Sequence, residues 1–403
     1  MALEKTWRWF GFNDPITLEY LAQMGVEGVV TALHHIPNGE IWSVEEILKV
    51  KESIESFGLR WSVVESLPVS EGIKTASDDR PRLIANYKQS LKNLGLCGID
   101  TVVYNFMPVI DWVRTHLTYK LPNGGESMYF DMPTFAAFDI YLLKRPNATN
   151  DYSEELVEQA KIIADNLTAE QADALVHNII VVTQGFINGV IDGRVSDPKK
   201  VFLEFLSHYK NIDRQQLREN LKAFLDEVVP VATEAGINLC VHPDDPPFPV
   251  LGLPRIVSTP EDIAWIMNAH DSLNNGFAFC VGSLSARPDN DLESIIKEFG
   301  HRIHFAHLRN TQLLSDGSFF ESGHIKGSQN MAELVKLLLI EQRKRRAEGR
   351  NDYRLPFRPD HGIKMLTDYN HKYNPGYPLI GRLKGLAEME GLMAGLENFL
   401  DKQ

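Results

Sequence analysis

Short apolar segments recur along the chain, and amphipathic stretches of helix length separate most of them. The first four segments are WRWFGF at 7–12, GVVTAL at 28–33, LRWSVVES at 59–66 and TVVYNFMP at 101–108. The last four read NLCVHPDD, FAFCVGS, IHFAHLRN and PFRPDHG. Short runs of β-branched and aromatic residues that alternate with helical patterns predict buried parallel strands joined by crossover helices. Eight of them predict an α/β fold, the closed (β/α)8 TIM barrel.

Two of the predicted helices carry clear start signals. Ser43 stands three residues before Glu46, which is the spacing of a capping box, and apolar residues follow on one helical face. Thr259 precedes Pro260, the order expected for an N-cap and a first helical position. We therefore expect helices to begin at these two places.

One interval is far too long for a single crossover, because the fourth strand ends near residue 108 and the fifth begins near 238. Within it, 117–131 predicts a β-hairpin around an Asn-Gly-Gly turn, and 153–190 has apolar residues at helical spacing. We predict a single catalytic domain, 1–403, that contains an inserted hairpin and helices at 112–205. The insertion is expected to be either a lid or an oligomerisation arm.

A second hairpin is predicted after the seventh strand, in LLSDGSFFES. Its turn is Asp316-Gly317, and the flanking residues have strand character. Since the hairpin follows the carboxyl end of a barrel strand, we expect it to overhang the mouth of the barrel.

Composition narrows the class of protein. The 403 residues are 43% hydrophobic and 24% charged, as in ordinary globular proteins, and three cysteines are too few for a disulfide framework. The net charge of −13 argues against a nucleic-acid partner. The sequence has neither a long apolar run nor a signal-peptide pattern. We expect a cytoplasmic protein without membrane or nucleic-acid partners.

The last four apolar segments each end in a residue that can bind a metal. They end in His242, Cys280, His307 and Asp360. Intervals of helix length separate these residues, whereas the ligands of a zinc finger lie a few residues apart. Because strand ends ring one pocket in a barrel, we expect the four donors to converge on a single divalent cation.

Polar residues stand beside these donors and at the ends of other strands. Guanidinium groups and amides next to a cation suit an anionic ligand that is rich in hydroxyl groups. We expect six residues to bind such a ligand: Arg8, Glu65, Asn105, Arg309, Asn310 and Arg358. His304 falls on the opposite face of its strand from His307, so we expect it to be structural.

These motifs together resemble the mannonate dehydratases of the bacterial hexuronate pathway. The resemblance spans essentially the whole chain and rests on HPDDPP, FCVGS, HLRN, RPDHG, WRWFG, VYNFMPVIDW and PGYPLIGR. It implies a barrel of the xylose-isomerase type that eliminates water from D-mannonate, giving 2-dehydro-3-deoxy-D-gluconate in glucuronate catabolism. It also implies Mn²⁺ held by the four donors.

The donor types by themselves leave the metal open. A thiolate with two imidazoles suits a softer ion than Mn²⁺, so Fe²⁺ or Co²⁺ are alternatives. Four protein ligands would fill the tetrahedral shell of Zn²⁺, and we therefore expect Zn²⁺ to inhibit. We follow the resemblance and predict Mn²⁺.

Elimination of water next to a carboxylate needs a base and an acid. The candidates are His361, beside a predicted metal donor, Tyr377 in PGYPLIGR, and His324 in the second hairpin region. We expect Tyr377 and His361 to serve, without assigning which is the base.

Other functions fit the same pattern in part. A divalent-metal sugar isomerase or epimerase also uses this barrel, although such sites usually have several carboxylates and this set has one. A barrel without catalysis could bind a sugar acid. In each case the partner is a small molecule, and we expect a homo-oligomer because the inserted helices need a surface to pack against.

Overall fold

The computed structural model describes residues 2–185 and 195–402. Within these residues eight parallel strands close into a barrel, in the order β1-β2-β3-β4-β7-β8-β9-β12, with β12 pairing back to β1. The strands are β1 Glu4–Arg8, β2 Gly28–Thr31, β3 Arg60–Glu65, β4 Thr101–Tyr104, β5 His116–Lys120, β6 Glu126–Phe130, β7 Asn238–Val241, β8 Asn275–Cys280, β9 Ile303–His307, β10 Thr311–Leu313, β11 Phe319–Glu321 and β12 Pro356–Arg358. The predicted TIM barrel is confirmed.

Helices connect the barrel strands and form much of the insertion. They are α1 Leu18–Gln23, α2 Val44–Glu55, α3 Glu71–Lys74, α4 Arg80–Leu96, α5 Met132–Ala137, α6 Glu154–Asn166, α7 Ala169–Val176, α8 Thr183–Gly185, α9 Pro198–Ser207, α10 Arg214–Glu234, α11 Pro260–Ala269, α12 Val281–Leu284, α13 Leu292–Phe299, α14 Met331–Ala347 and α15 Leu379–Leu400. Short 3-10 or π segments lie at Phe138–Leu143, Ala148–Asp151, His177–Val182, Gly300–Arg302 and Leu366–Asn370. None of the described helices is long and apolar enough to cross a membrane.

Both predicted helix starts are present, with one difference. Thr259 caps α11 and forms a reciprocal capping box with Asp262. The Ser43 hydroxyl accepts the N–H of Glu46 at 3.3 Å, as predicted. The Glu46 carboxylate lies 2.7 Å from His35 Nε2, so a contact with this ring replaces the second half of that capping box.

The first strand begins earlier than the prediction of 7–12. It covers Glu4–Arg8, because the Glu4 carboxylate is buried against Arg354 and accepts a hydrogen bond from Ser62. Paired in this way, a charged residue can start a barrel strand. The chain then turns where the Asp14 carboxylate accepts the N–H groups of Phe10 and Ile16.

Alternation along the barrel strands positions the pocket. Six side chains form a cluster apart from the main core: Val30, Val63, Val103, Cys240, Ala278 and Phe305. Successive side chains of a strand point to opposite faces, so residues two positions further on share the inner face. Counted from Val63, Val103, Cys240, Ala278 and Phe305, the residues two positions further along the chain are Glu65, Asn105, His242, Cys280 and His307.

The two predicted hairpins pair with each other into a second sheet. It is antiparallel, with the order β10-β11-β6-β5, and we call it the mouth sheet. The turn glycines Gly124 and Gly317 have φ of 83° and 84°, which glycine adopts readily. Residues 186–194 lie outside the described residues. They belong to the predicted insertion at 112–205 and include the end of the helical prediction at 153–190.

Gly381 allows α15 to approach the loop after β12 closely. A Cβ atom on Gly381 would lie 2.0 Å from the carbonyl oxygen of Ile363. We expect Gly381→Ala to lower the free energy of unfolding by about 1–3 kcal/mol, because the backbone must move.

Gly391, in the same helix, provides the control, since a Cβ atom at this position would have no neighbour within 4 Å. Gly391→Ala should stabilise the helix by about 0.5–1 kcal/mol. Thermal denaturation of the two variants tests the contrast, and equal melting temperatures would contradict it.

Candidate active site

Three of the four predicted metal donors lie together at the carboxyl ends of neighbouring strands. His242 follows β7, Cys280 ends β8 and His307 ends β9. One donor atom from each lies within 4.8 Å of the other two, and Nε2 of His242 is 3.2 Å from Nδ1 of His307. Cys280 and His307 are fully buried. We call these three residues the donor cluster.

Each member of the donor cluster is also held by a neighbour. Nδ1 of His242 is 2.7 Å from the carbonyl oxygen of Pro243, which leaves Nε2 as the atom facing the cluster. The Ser283 hydroxyl donates to Cys280 Sγ at 3.1 Å. Nε2 of His307 is 3.1 Å from Glu65 Oε1. Contacts of this kind orient the ligands of metal sites and fix their tautomers.

The electrostatic surroundings favour a thiolate at Cys280. Burial raises the pKa of its thiol, but Arg309, His307 and His242 outweigh burial and hold the pKa well below its usual range. Burial raises the pKa values of the other two cysteines, Cys97 and Cys240. Thiolate, rather than thiol, is the metal-binding form of cysteine.

Asp360, the fourth predicted donor, borders the donor cluster. It follows β12 with φ of +62°, and its Oδ2 lies 3.8 Å from His307 Nδ1. The carboxylate is paired with Arg358 and with Arg309, whose Nε is 3.0 Å away. Burial raises the pKa of Asp360, yet Arg358, His361 and Arg309 hold it well below its usual range.

His361 and Tyr377 face the same carboxylate. The Tyr377 hydroxyl donates to Asp360 Oδ1 at 3.5 Å, and His361 Nε2 lies 3.7 Å from that oxygen. The two rings pack edge to face with centroids 5.0 Å apart. Burial raises the pKa of Tyr377 to about 12, although Arg358 opposes the shift. Tyr377 therefore carries its proton at neutral pH.

A single pocket opens beside these groups. Five of the six residues predicted to bind ligand line it: Arg8, Glu65, Asn105, Arg309 and Arg358. His242, Asp360, His361 and Tyr377 line it as well. Most of the predicted polar residues therefore surround one cavity.

Asn310 and His324 lie elsewhere in the described structure. The Asn310 amide donates to the carbonyl oxygens of His324 and Gln329, so it organises the loop before α14. Nε2 of His324 is 2.8 Å from the carbonyl oxygen of Pro359, and its ring packs against Gly385. His304 is 2.8 Å from the carbonyl oxygen of Leu273 on the outer side of β9, as predicted.

Several residues at the pocket were not singled out from the sequence. Asp111 and Trp112 line it, and the Gln184 side chain pairs with their backbone, accepting from Asp111 N–H and donating to Trp112 C=O. Their position in VYNFMPVIDW was the available signal. The insertion therefore supplies part of the pocket wall.

Buried ion pairs border the pocket, and two of their members, Asp245 and Arg309, line it. Arg114 and Arg309 both pair with Asp245, at 2.8 and 2.5 Å, and both pair with Glu321, at 2.9 and 2.5 Å. We call these four residues the charge network. Its members are far apart in the chain, so no local pattern could have predicted the pairs.

The thiolate assignment has a direct optical test. A folded-state pKa well below the usual value means that Cys280 is ionised at neutral pH and protonated only on acidification. We expect the ultraviolet thiolate absorbance of metal-free protein at neutral pH to correspond to one cysteine and to disappear in Cys280→Ser. Cys97→Ser is the matched control and should leave the absorbance unchanged. An absorbance that survives in Cys280→Ser would refute the assignment.

Comparison with known proteins gives a consistent result. The family model described as D-mannonate dehydratase (UxuA) matches residues 3–403. A mannonate dehydratase of Marinomonas sp. is 49% identical over 99% of this chain and 100% of its own length. One from Saccharophagus degradans is 45% identical over 98% of each chain.

A solved structure supports the same grouping. The crystal structure of mannonate dehydratase from Streptococcus suis serotype 2 is 31% identical, with a TM-score of 0.77, and the match covers 99% of this chain and 95% of that one. Sequence and fold therefore agree over nearly the full length. The chain belongs to the D-mannonate dehydratase family.

Proposed function

We propose that this chain eliminates water from D-mannonate and forms 2-dehydro-3-deoxy-D-gluconate. The observation that carries the proposal is the pocket lined by His361, Tyr377, Arg358 and His242, the member of the donor cluster that reaches it. The reaction removes the proton on C2, expels the C3 hydroxyl as water, and yields an enol that becomes the 2-keto acid. Family membership favours this reaction over the isomerase and over a protein that only binds sugar acids.

The chemistry of the donor cluster fits a divalent cation. We assign His242, Cys280, His307 and Asp360 as its ligands, since a thiolate, two imidazoles and a carboxylate lie adjacent, with all but the half-buried His242 fully enclosed. A bound cation would supply positive charge that neutralises the substrate carboxylate as C2 loses its proton. Mn²⁺ is the predicted ion, with Fe²⁺ or Co²⁺ as alternatives and Zn²⁺ as an inhibitor.

Arg8 and Arg358 suit the substrate carboxylate. Both guanidiniums line the pocket, and both pair with Glu65, at 3.3 and 2.9 Å. Glu65 also lies against His307, so this carboxylate connects the guanidinium pair to the donor cluster. A planar guanidinium binds a carboxylate through two parallel hydrogen bonds, which fixes the orientation of the substrate.

His361 and Tyr377 supply the two proton transfers in this proposal. One removes the C2 proton and the other protonates the departing hydroxyl, and both lie within 4 Å of Asp360 Oδ1. His324 acts differently: it holds the Pro359 carbonyl immediately before Asp360. Asn310 acts in the loop that contains His324 rather than on the substrate.

The contribution of the insertion to the pocket wall supports a role as a lid. Trp112, the first residue of the 112–205 region, lines the pocket beside Asp111, and Gln184 within that region fixes both. We therefore favour a wall or lid over an arm used solely for assembly. The homo-oligomer and the cytoplasmic location remain predictions.

The decisive experiment uses metal-stripped protein. We expect it to form the 2-keto-3-deoxy acid from D-mannonate only after Mn²⁺ is added, because the cation supplies the charge that the carbanion needs. D-gluconate, the C2 epimer, is the matched substrate control and should react poorly. Absence of product from D-mannonate at full Mn²⁺ occupancy would overturn the proposed function.

The proton-transfer residues can be tested separately. His361→Asn and Tyr377→Phe should each lower kcat by about 10²-fold or more, which is the usual scale of general acid–base catalysis. Manganese content should remain that of the wild type. Tyr369→Phe, which removes an exposed hydroxyl bonded to the Gly124 carbonyl, is the control. Wild-type turnover in either of the first two variants would remove that residue from the mechanism.

A further inference from the structure

The side of His361 that faces away from Asp360 meets a buried carboxylate. Glu321, the last residue of β11, places Oε1 3.0 Å from His361 Nδ1. Nε2 of the same ring lies 3.7 Å from Asp360 Oδ1, on the pocket side. The imidazole is therefore held between Glu321 on its Nδ1 side and the pocket on its Nε2 side.

Glu321 is itself firmly fixed. Its side chain is buried and pairs with Arg114 and Arg309, which belong to the charge network. Its backbone carbonyl accepts a hydrogen bond from the Ser127 hydroxyl at 2.6 Å, across the mouth sheet. A carboxylate restrained in this way can determine the orientation of a neighbouring ring.

A second contact competes for the same ring nitrogen. Arg309 Nη1 lies 2.7 Å from His361 Nδ1, so this nitrogen has a possible donor as well as a possible acceptor. Arg309 Nη1 and Nη2 already donate to the carboxylates of Glu321 and Asp245, and Nε lies 3.0 Å from Asp360 Oδ2. A carboxylate is a stronger acceptor than a neutral imidazole, so Arg309 does not require Nδ1.

The ionisation of Glu321 also indicates that the proton of His361 is on Nδ1. Burial raises the pKa of Glu321, but Arg309, His361 and Arg114 lower it to about 2. An ionised carboxylate has no proton to donate and can only accept. Glu321 and Nδ1 form a hydrogen bond only if the imidazole carries its proton on Nδ1.

We propose that Glu321 is a positioning residue that accepts the Nδ1–H of His361 and directs the unprotonated Nε2 into the pocket. The hydrogen bond at one ring nitrogen sets which nitrogen carries the proton. The inference rests on the proposed role of His361 in proton transfer. It also assigns the mouth sheet a role in the site, because the last residue of β11 carries the carboxylate that orients His361.

Kinetics provide the first test. Glu321→Gln removes the negative charge at constant size and should lower kcat by about 10- to 100-fold, the usual effect of losing an orienting partner. KM for D-mannonate and manganese content should stay close to the wild-type values, since Glu321 lies behind the ring. Ser127→Ala is the matched control: it loosens the same end of β11 and leaves the carboxylate in place, so kcat should persist. Unchanged kcat in Glu321→Gln would overturn the inference.

A spectroscopic test does not depend on turnover or on the stability of the variant. Long-range proton–nitrogen correlation spectra of histidine-labelled, metal-free wild type report which ring nitrogen is protonated. We assign the His361 signals by their loss in His361→Asn, and we expect the Nδ1–H tautomer. The Nε2–H tautomer would overturn the inference even if the protein dehydrates D-mannonate. Conversely, wild type that shows Nδ1–H but produces no 2-keto-3-deoxy acid would refute the proposed function alone.

Discussion

Charge taken out of water must be compensated, and the mouth of this barrel is organised around that requirement. Arg309 contacts Asp245, Glu321 and Asp360, and its positive charge also lowers the pKa of Cys280. Breaking a buried ion pair by removing one partner typically costs about 3–5 kcal/mol. This one guanidinium thus contacts the carboxylate beside the donor cluster, the ring of His361 and the carboxylate that ends β11 of the mouth sheet.

The position of the Arg309 side chain in turn depends on Gly282, which has no side chain. A Cβ atom on Gly282 would lie 2.3 Å from Arg309 Nε. Gly282 follows Cys280 in the FCVGS motif, so the segment that supplies the thiolate also leaves room for the guanidinium that favours it. The three consecutive residues 280–282 thus supply the thiolate and also leave the space that the guanidinium needs.

Much of the fold and of the site follows from the period-two alternation of strands. That rule, applied to abrupt strand ends, places His242, Cys280 and His307 on the inner face, where the structure has them. It fails for the start of β1, because the burial of Glu4 depends on Arg354, from another part of the chain. It also says little about residues beyond a strand end: Asn310, directly after Arg309, turns away to the loop before α14. The charge network joins residues from the insertion, two barrel loops and the second hairpin, and one sequence contains no pairwise signal for such contacts.

The mouth sheet has a consequence for how the protein is made. A ribosome releases β5 and β6, together with Arg114, well before it has synthesised β10 and β11. Until then Arg114 lacks the Glu321 carboxylate, and β6 presents an unpaired edge to other nascent chains. Completion of the pocket therefore waits for the last quarter of the polypeptide, and the edge of β6 stays unpaired until β11 has been made.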